Sequence, residues 1–290
     1  MMIKKEKVGW VVLHYEALEE TCACVETLSQ VSAENDIIII VDNHSLNGSG
    51  KKLMTRFHAK ANVTVILNQE NLGFARGNNV GYILAKDKYR CDFIVLLNND
   101  TLIQQKDFRD KLLASYEKYH FAVMGPKILC ADETVNPCSP RTPIHTSLRR
   151  ARIGQILNYA RYLLSLCNLD VWAEKILDRR KKSDHFRSDL YREDVEIAGC
   201  CMIFSKEYMD QFEGLNPKTF MYLEETILYV MVKKAGLKII YNPALEIVHL
   251  EDAATLESFQ GRTGKARRFK YKCQMHSFKV LLEEIGKHGG

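Results

Sequence analysis

The sequence predicts an α/β fold in which a mostly parallel central sheet carries helices on both faces. Three observations predict it: short runs that are apolar at every position, helical spacing between those runs, and a length of 290 residues, enough for a large core. Val8 to Leu13 is the first such run and reads as a strand buried on both sides. Leu18 to Leu28 has helical spacing, and Asp36 to Val41 is an Ile-rich second strand. Val63 to Leu67 is the third strand, Phe74 to Tyr89 a helix, and Asp92 to Leu97 the fourth strand. Strands and helices in alternation imply parallel pairing with both faces of the sheet covered. Further along, Glu196 to Phe204 is small and apolar around Gly199. Leu223, Ile227, Val230 and Met231 then form a helical stripe that Gly236 stops. Lys238 to Tyr241 and Glu246 to His249 read as two further strands, and a basic helix runs from Thr263 to Ile285.

Composition sets bounds on function. Hydrophobic residues make up 46% and charged residues 27%, ordinary globular usage that excludes wholesale disorder and fibrous repeats. The longest apolar runs fall far short of the roughly 18 residues a membrane span needs. Lys4, Lys5 and Lys7 precede only a short apolar stretch before His14 and Glu16, so a secretory signal is not expected and the chain is expected in the cytoplasm. The nine cysteines are odd in number and form no CxxC pair, which fits free thiols buried as small apolar groups.

In open parallel sheets ligands bind at the carboxyl ends of the strands. Those ends carry His14-Tyr15, Asp42-Asn43-His44-Ser45, Asn68 and Asn98-Asn99-Asp100-Thr101. Each cluster alone is also what turns are made of. All of them at one edge point to a polar ligand.

Residues 141–192 break the rhythm with twelve Lys and Arg against five acids, a balance of +7 where the whole chain has +5. Within this segment Arg149 to Leu169 mixes basic residues with Ile153, Ile156, Leu157, Leu163 and Leu166 at helical spacing. Two readings stand for it: a basic amphipathic helix on an anionic membrane surface, or a solvated helix packing its apolar side on the body. No nucleic-acid-binding motif accompanies it, and no nucleic-acid partner is expected.

Three stretches resemble the inverting, nucleotide-sugar-dependent family-2 glycosyltransferases of GT-A fold, in particular their bacterial rhamnosyltransferase-like branch. They are Ile40-Val41-Asp42-Asn43-His44-Ser45, the run Asn71-Leu72-Gly73-Phe74-Ala75-Arg76-Gly77-Asn78-Asn79, and Val95-Leu96-Leu97-Asn98-Asn99-Asp100-Thr101. The resemblance implies a Rossmann-like nucleotide-diphospho-sugar transferase domain over residues 1–255, with a basic helical insertion at 140–193 and a basic helical tail over 256–290. It implies transfer of a hexose or deoxyhexose from a UDP- or dTDP-sugar to a hydroxyl of a surface polysaccharide or polyprenyl-linked glycan. Such an acceptor would bring the chain to the inner face of the plasma membrane.

The same resemblance distributes roles. Tyr15 and Asp42 would read the nucleobase, with Asn71, Gly73, Arg76, Asn98 and Asn99 completing the donor site; Arg76 is equally suited to a structural ion pair. Asp100 and His249 would hold a divalent cation, Mn²⁺ or Mg²⁺, that neutralises the departing diphosphate. Asn98 and Asn99 precede Asp100, so that motif offers a single carboxylate. The family's Glu-Asp pair at a helix start corresponds here to Glu224-Glu225, with Glu225 as base and Glu224 as its orienting partner. Acids in a first helical turn also simply complement the helix dipole. Gly199 and Cys200 would shape an acceptor pocket. Two other functions compete: a degenerate, non-catalytic binder of nucleotide sugars, and a sugar-nucleotide nucleotidyltransferase. Against the latter, the turn after the first strand reads His14-Tyr15-Glu16-Ala17 rather than a Gly-rich basic loop.

Overall fold

A computed structural model describes residues 6–131, 134–135, 140–170, 188–250 and 263–287. Parts of the expected insertion (171–187) and tail (256–262 and 288–290) lie outside the described residues. The elements in chain order are β1 (Val8–His14), α1 (Leu18–Val31), β2 (Ile37–Asp42), α2 (Ser49–Phe57), β3 (Val63–Leu67) and α3 (Gly73–Ile83), continued by a wide turn at Leu84–Lys88. Next come β4 (Phe93–Asn98), β5 (Thr101–Leu102), α4 (Phe108–Tyr119), β6 (Val123–Cys130) and α5 (Leu148–Leu166). The last are β7 (Arg192–Glu193), β8 (Cys201–Phe204), a short α6 (Lys206–Met209), α7 (Glu224–Lys234), β9 (Ile239–His249) and α8 (Thr263–Gly286).

The sheet runs β3-β2-β1-β4-β8-β6-β9-β5, with β7 also on β9. Strands β3, β2, β1 and β4 pair in parallel, β8 is antiparallel to both its neighbours, and β6 and β9 are parallel to each other. The apolar runs are explained by two cores, one on each face. Trp10, Val12, Ile38, Ile40, Val95 and Leu97 pack toward α1 and α4, whereas Val11, Ile39, Val41, Ile94 and Leu96 pack toward α3 and α7. Side chains alternate along a strand, so a strand with helices on both faces must be apolar throughout.

The two late strands expected from sequence are one strand. Pro126 pairs with Asn242 while Lys127 pairs with Glu246, so Pro243, Ala244 and Leu245 bulge out of β9. Proline cannot donate to the ladder, and a bulge is where a strand tolerates it. The expected helix over Phe74 to Tyr89 regularises only to Ile83 before widening into the turn that follows.

Register places the chemistry. His14 is level with Asp42, and Leu13 with Asn98, so β1, β2 and β4 end together. Strand β5 pairs Thr101 with His249, which brings the end of β9 to the same edge. Helix α8 packs along α5 and α7, where Phe278, Val280 and Leu281 meet Ala151, Ile227 and Val230. Among the described residues no helix is long and apolar enough to cross a membrane.

Candidate active site

The edge is built on a buried histidine. His14 is fully buried, with Nδ1 2.6 Å from Thr21 Oγ1 and Nε2 2.8 Å from Ser49 Oγ. The Thr21 hydroxyl already donates to the Ala17 carbonyl at 2.8 Å, so it accepts from His14 Nδ1–H, and Nε2 accepts from Ser49. The ring is therefore neutral: burial lowers its pKa to about 4, against the opposing pull of Asp42. Asp42 accepts from the Ser45 hydroxyl at 2.5 Å and from the Ser45 N–H at 3.2 Å. Helix α2 begins against this carboxylate, close enough that a Cβ on Gly50 would lie 2.3 Å from Asp42 Oδ2.

Asn43, named from sequence in its strand-end cluster but given no role there, organises this part of the edge. Its amide donates to Asn71 Oδ1 (3.0 Å) and the Gly73 carbonyl (3.1 Å), and its oxygen accepts from Asn68 Nδ2 (3.2 Å) and Leu72 N–H (3.0 Å). The Tyr15 phenol is raised by burial and by Glu16, and a hydrogen bond from Asn71 works against that rise. Tyr15, Asp42, Asn71 and Gly73 thus form one connected group. Gly73 has φ +77°, and a Cβ there would meet the Phe220 carbonyl oxygen at 2.3 Å, so only glycine fits. The Phe74 N–H donates to that same carbonyl at 2.7 Å.

Asn98 and Asn99 diverge. Asn98 lines a cavity of about 490 Å³, while Asn99 is buried, donating to Thr21 Oγ1 (3.1 Å) and the Ala17 carbonyl (3.4 Å) of α1. Asp100 Oδ1 accepts from His249 Nε2 at 3.1 Å, and the Leu250 N–H donates to the Asp100 carbonyl. The Cys200 carbonyl accepts from the Asn98 N–H (3.0 Å) and the Thr101 hydroxyl (3.3 Å), fastening the Gly199-Cys200 turn to the same loop.

Across the cavity stands the start of α7. Tyr222 and Leu223 both have positive φ, 74° and 68°, an uncommon conformation for such bulky residues that turns the chain into the helix just before Glu224. Glu224 is 6% exposed, and its Oε1 has no hydrogen-bond partner. Burial, and after it the neighbouring charge of Glu225, push Glu224 up to about 7. Glu196, which sequence inspection passed over, faces the same cavity; burial and Glu225 push it up to about 7, while the Thr226 hydroxyl (3.2 Å) and Arg141 pull it back. Its signal in the sequence was faint, a lone acid in an otherwise apolar stretch. Gly199 leaves room for the Glu225 side chain: a Cβ there would lie 2.7 Å from Glu225 Oε1.

One cavity therefore gathers Asn98, Gly199, Cys200, Glu224, Glu225 and His249, with Phe74 from the donor side and Lys270 and Gln274 from α8. Arg76 stands apart. Its guanidinium, half exposed, lies 3.4 Å from Glu70 and lines a second cavity of about 880 Å³ with Asn79, Leu215 and Lys218. Among the described residues no group of three or more acids, histidines and cysteines could hold a metal. Asp100 and His249 offer one carboxylate and one imidazole, and a hard divalent ion bound that way takes its remaining ligands from phosphate and water.

A parallel half-sheet, an antiparallel strand beside it and acids opening a helix across the cleft form the arrangement of a GT-A glycosyltransferase. The family described as "Glycosyltransferase like family 2" matches residues 8–268, and the chain belongs to it. The chain is 22% identical over 255 residues to the low-salt glycan biosynthesis hexosyltransferase Agl10 of Haloferax volcanii (strain ATCC 29605 / DS2), covering 81% of this chain and 72% of that protein. In fold it is similar to S. aureus TarS residues 1–349, with a TM-score of 0.54 and 13% identity over 96% of this chain and 70% of that one. It is also similar to GalNAc-T7 solved with UDP, GalNAc and Mn²⁺, with a TM-score of 0.57 and 14% identity over 97% of this chain and 57% of that one.

Proposed function

We infer that the chain is an inverting transferase that moves a hexose or deoxyhexose from a UDP- or dTDP-sugar to a hydroxyl of a surface polysaccharide or lipid-linked glycan. The observation that carries this reading is the shared cavity, with Glu224 and Glu225 on one wall and Asn98 and His249 on the other. The donor base would lie against Tyr15 and Asp42, with its diphosphate toward Asp100. The acceptor hydroxyl would enter past Gly199 and Cys200. Glu225 takes the hydroxyl proton as the oxygen attacks the anomeric carbon, the bond to the diphosphate breaks on the opposite face, and the configuration inverts. Burial and the charge of Glu225 raise Glu224 and Glu196 to about 7, so below that pH protonation limits like-charge repulsion at the base. Asp100 and His249 would hold Mn²⁺ or Mg²⁺, whose part is to stabilise charge on the leaving diphosphate. Support for these ligands comes from TarS, which was also solved in complex with UDP, and from the UDP and Mn²⁺ of GalNAc-T7. A lipid-linked acceptor would set the protein on the cytoplasmic face of the membrane, against anionic lipid.

The test is Glu225→Gln. Turnover should fall by about a hundredfold to ten-thousandfold, with nucleotide affinity unchanged by calorimetry. Transfer that survives the substitution would remove Glu225 from the mechanism.

A further inference from the structure

Helix α5 is built inside out. Its side toward the body is small or polar, with Ala151, Gly154, Asn158 and Ser165 all buried. Large apolar side chains point the other way: Ile153, Ile156, Leu157, Leu163 and Leu166 are exposed, Ile156 by 66%. At 3.6 residues per turn, Ile153, Ile156, Leu157 and Leu163 share an arc centred opposite the buried one. The inner side is small because α8 comes close. Asn158 Nδ2 donates to the Tyr271 carbonyl at 2.9 Å, and a Cβ on Gly154 would lie 2.7 Å from Phe278 Cε1. A contiguous apolar face left in water marks an interaction surface.

Charge selects what covers it. Residues 148–170 and 263–287 together carry eleven Lys and Arg against three acids, a net +8 that exceeds the +5 of the whole chain. Arg149 and Arg152 stand on the outward side of the first turns of α5. A second copy docked face to face would set these charges against themselves. Anionic lipid complements them, and an amphipathic helix of this kind lies in the interface with its apolar face at the acyl boundary.

We propose that α5 is a membrane-docking helix, seated in the headgroup layer of an anionic bilayer through Ile153, Ile156, Leu157 and Leu163, with Arg149 and Arg152 on lipid phosphates. Its partner α8 contributes Lys270 and Gln274 to the cavity that holds Glu225. Docking by α5 therefore holds that cavity near the bilayer, where, if the glycosyl-transfer reading above is right, a lipid-linked acceptor would present its hydroxyl.

The experiment is flotation of the full chain with vesicles of phosphatidylcholine alone and of phosphatidylcholine with phosphatidylglycerol at about one part in three, a charge density to which polybasic faces respond. The chain should float with the anionic vesicles and release as salt rises. The double variants Ile156→Ser/Leu163→Ser and Arg149→Glu/Arg152→Glu should each reduce the bound fraction at least about tenfold, given the contributions of buried apolar area and of basic residues to such binding. Their melting temperatures and their turnover on a water-soluble acceptor should match those of the parent. No flotation, flotation indifferent to anionic lipid, or variants that still bind would overturn the proposal. So would a dimer in sedimentation velocity that Ile156→Ser/Leu163→Ser converts to monomer, which would assign the face to a second copy. Loss of turnover in Glu225→Gln with flotation intact, or the converse, separates the fate of this proposal from that of the catalytic reading.

Discussion

His14 and the pair Glu196 and Glu224 load the protein's stability in opposite directions over overlapping pH windows. His14 has its pKa lowered to about 4, so between pH 6.5 and 4 the unfolded chain binds a proton that the folded chain refuses, and stability falls as pH drops through that window. Glu196 and Glu224 are raised to about 7, so between pH 4.5 and 7 the folded chain holds protons the unfolded chain has released, and stability falls as pH rises. Each group contributes a slope of at most about 1.4 kcal/mol per pH unit. Urea unfolding from pH 4 to 8 should show that Glu224→Gln removes part of the stability lost as pH rises from 4.5 to 7, and that His14→Gln removes part of the stability lost as pH falls from 6.5 to 4. Gly199 offers a second test at this scale. Its φ is not positive, so alanine fits the backbone, but the new Cβ meets the tip of the Glu225 side chain. Gly199→Ala should fold normally, with kcat lowered about tenfold or more because displacing the base by an ångström has that order of cost. Unaltered kcat would show that Glu225 has no fixed place.

At the scale of the element, the sequence declared what was buried on two sides. Three of the four parallel strands were readable because every position from Trp10 to Val12, Ile37 to Val41 and Ile94 to Leu97 is apolar, a pattern few other structures require, whereas β3 includes Thr64 and is only partly buried. Helices α2 and α4 were given no bounds from sequence. Helix α2 is only nine residues long and buries Leu53 and Phe57 among polar neighbours, while α4 buries just Phe108, Leu112 and Ser115. Strand β6 was obscured by Gly125-Pro126, residues usually read as a break, and its place between β8 and β9 depends on pairings far apart in sequence. Helix α5 was legible as a helix, but not which of its sides would face α8, because that is settled by the fit of Gly154 against Phe278. Gly154→Leu should push the two helices apart and cost about 1–3 kcal/mol by overpacking. Its melting temperature should fall, and the shift should vanish when Phe278→Ala relieves the crowding. Of the candidate site, motif residues at strand ends, Asn43 among them, were found from sequence, whereas the bridging role of Asn43 and the presence of Glu196 were not. The connections of Asn43 and the burial of Glu196 exist only once the chain is folded.

For the whole molecule, the proposed donor half and the proposed acceptor wall are separate in sequence and are joined by the β4–β8 pairing and by the bond from the Phe74 N–H to the Phe220 carbonyl. Ligand linkage makes the donor half testable on its own: a nucleotide that binds only the folded chain raises Tm. UDP or dTDP with Mn²⁺ should raise Tm by several degrees, GDP and CMP should not, and Asp100→Asn should abolish the part of the shift that needs metal. A shift indifferent to EDTA would leave Asp100 and His249 as a structural pair.

The hydrogen bond between the Phe74 N–H and the Phe220 carbonyl joins the two halves at Gly73. Four residues beyond Phe220 come Glu224 and then Glu225. Whatever settles the glycine loop therefore also settles the hinge of strained residues ahead of Glu224. The kinetics expected of such coupling are a compulsory order of addition, nucleotide sugar first, acceptor second and nucleoside diphosphate released last, to be read from initial-rate patterns. Product inhibition by that diphosphate would then be competitive against the sugar nucleotide and mixed against the acceptor. A random-order pattern would mean that the two halves of the cleft fill independently despite the bond between them.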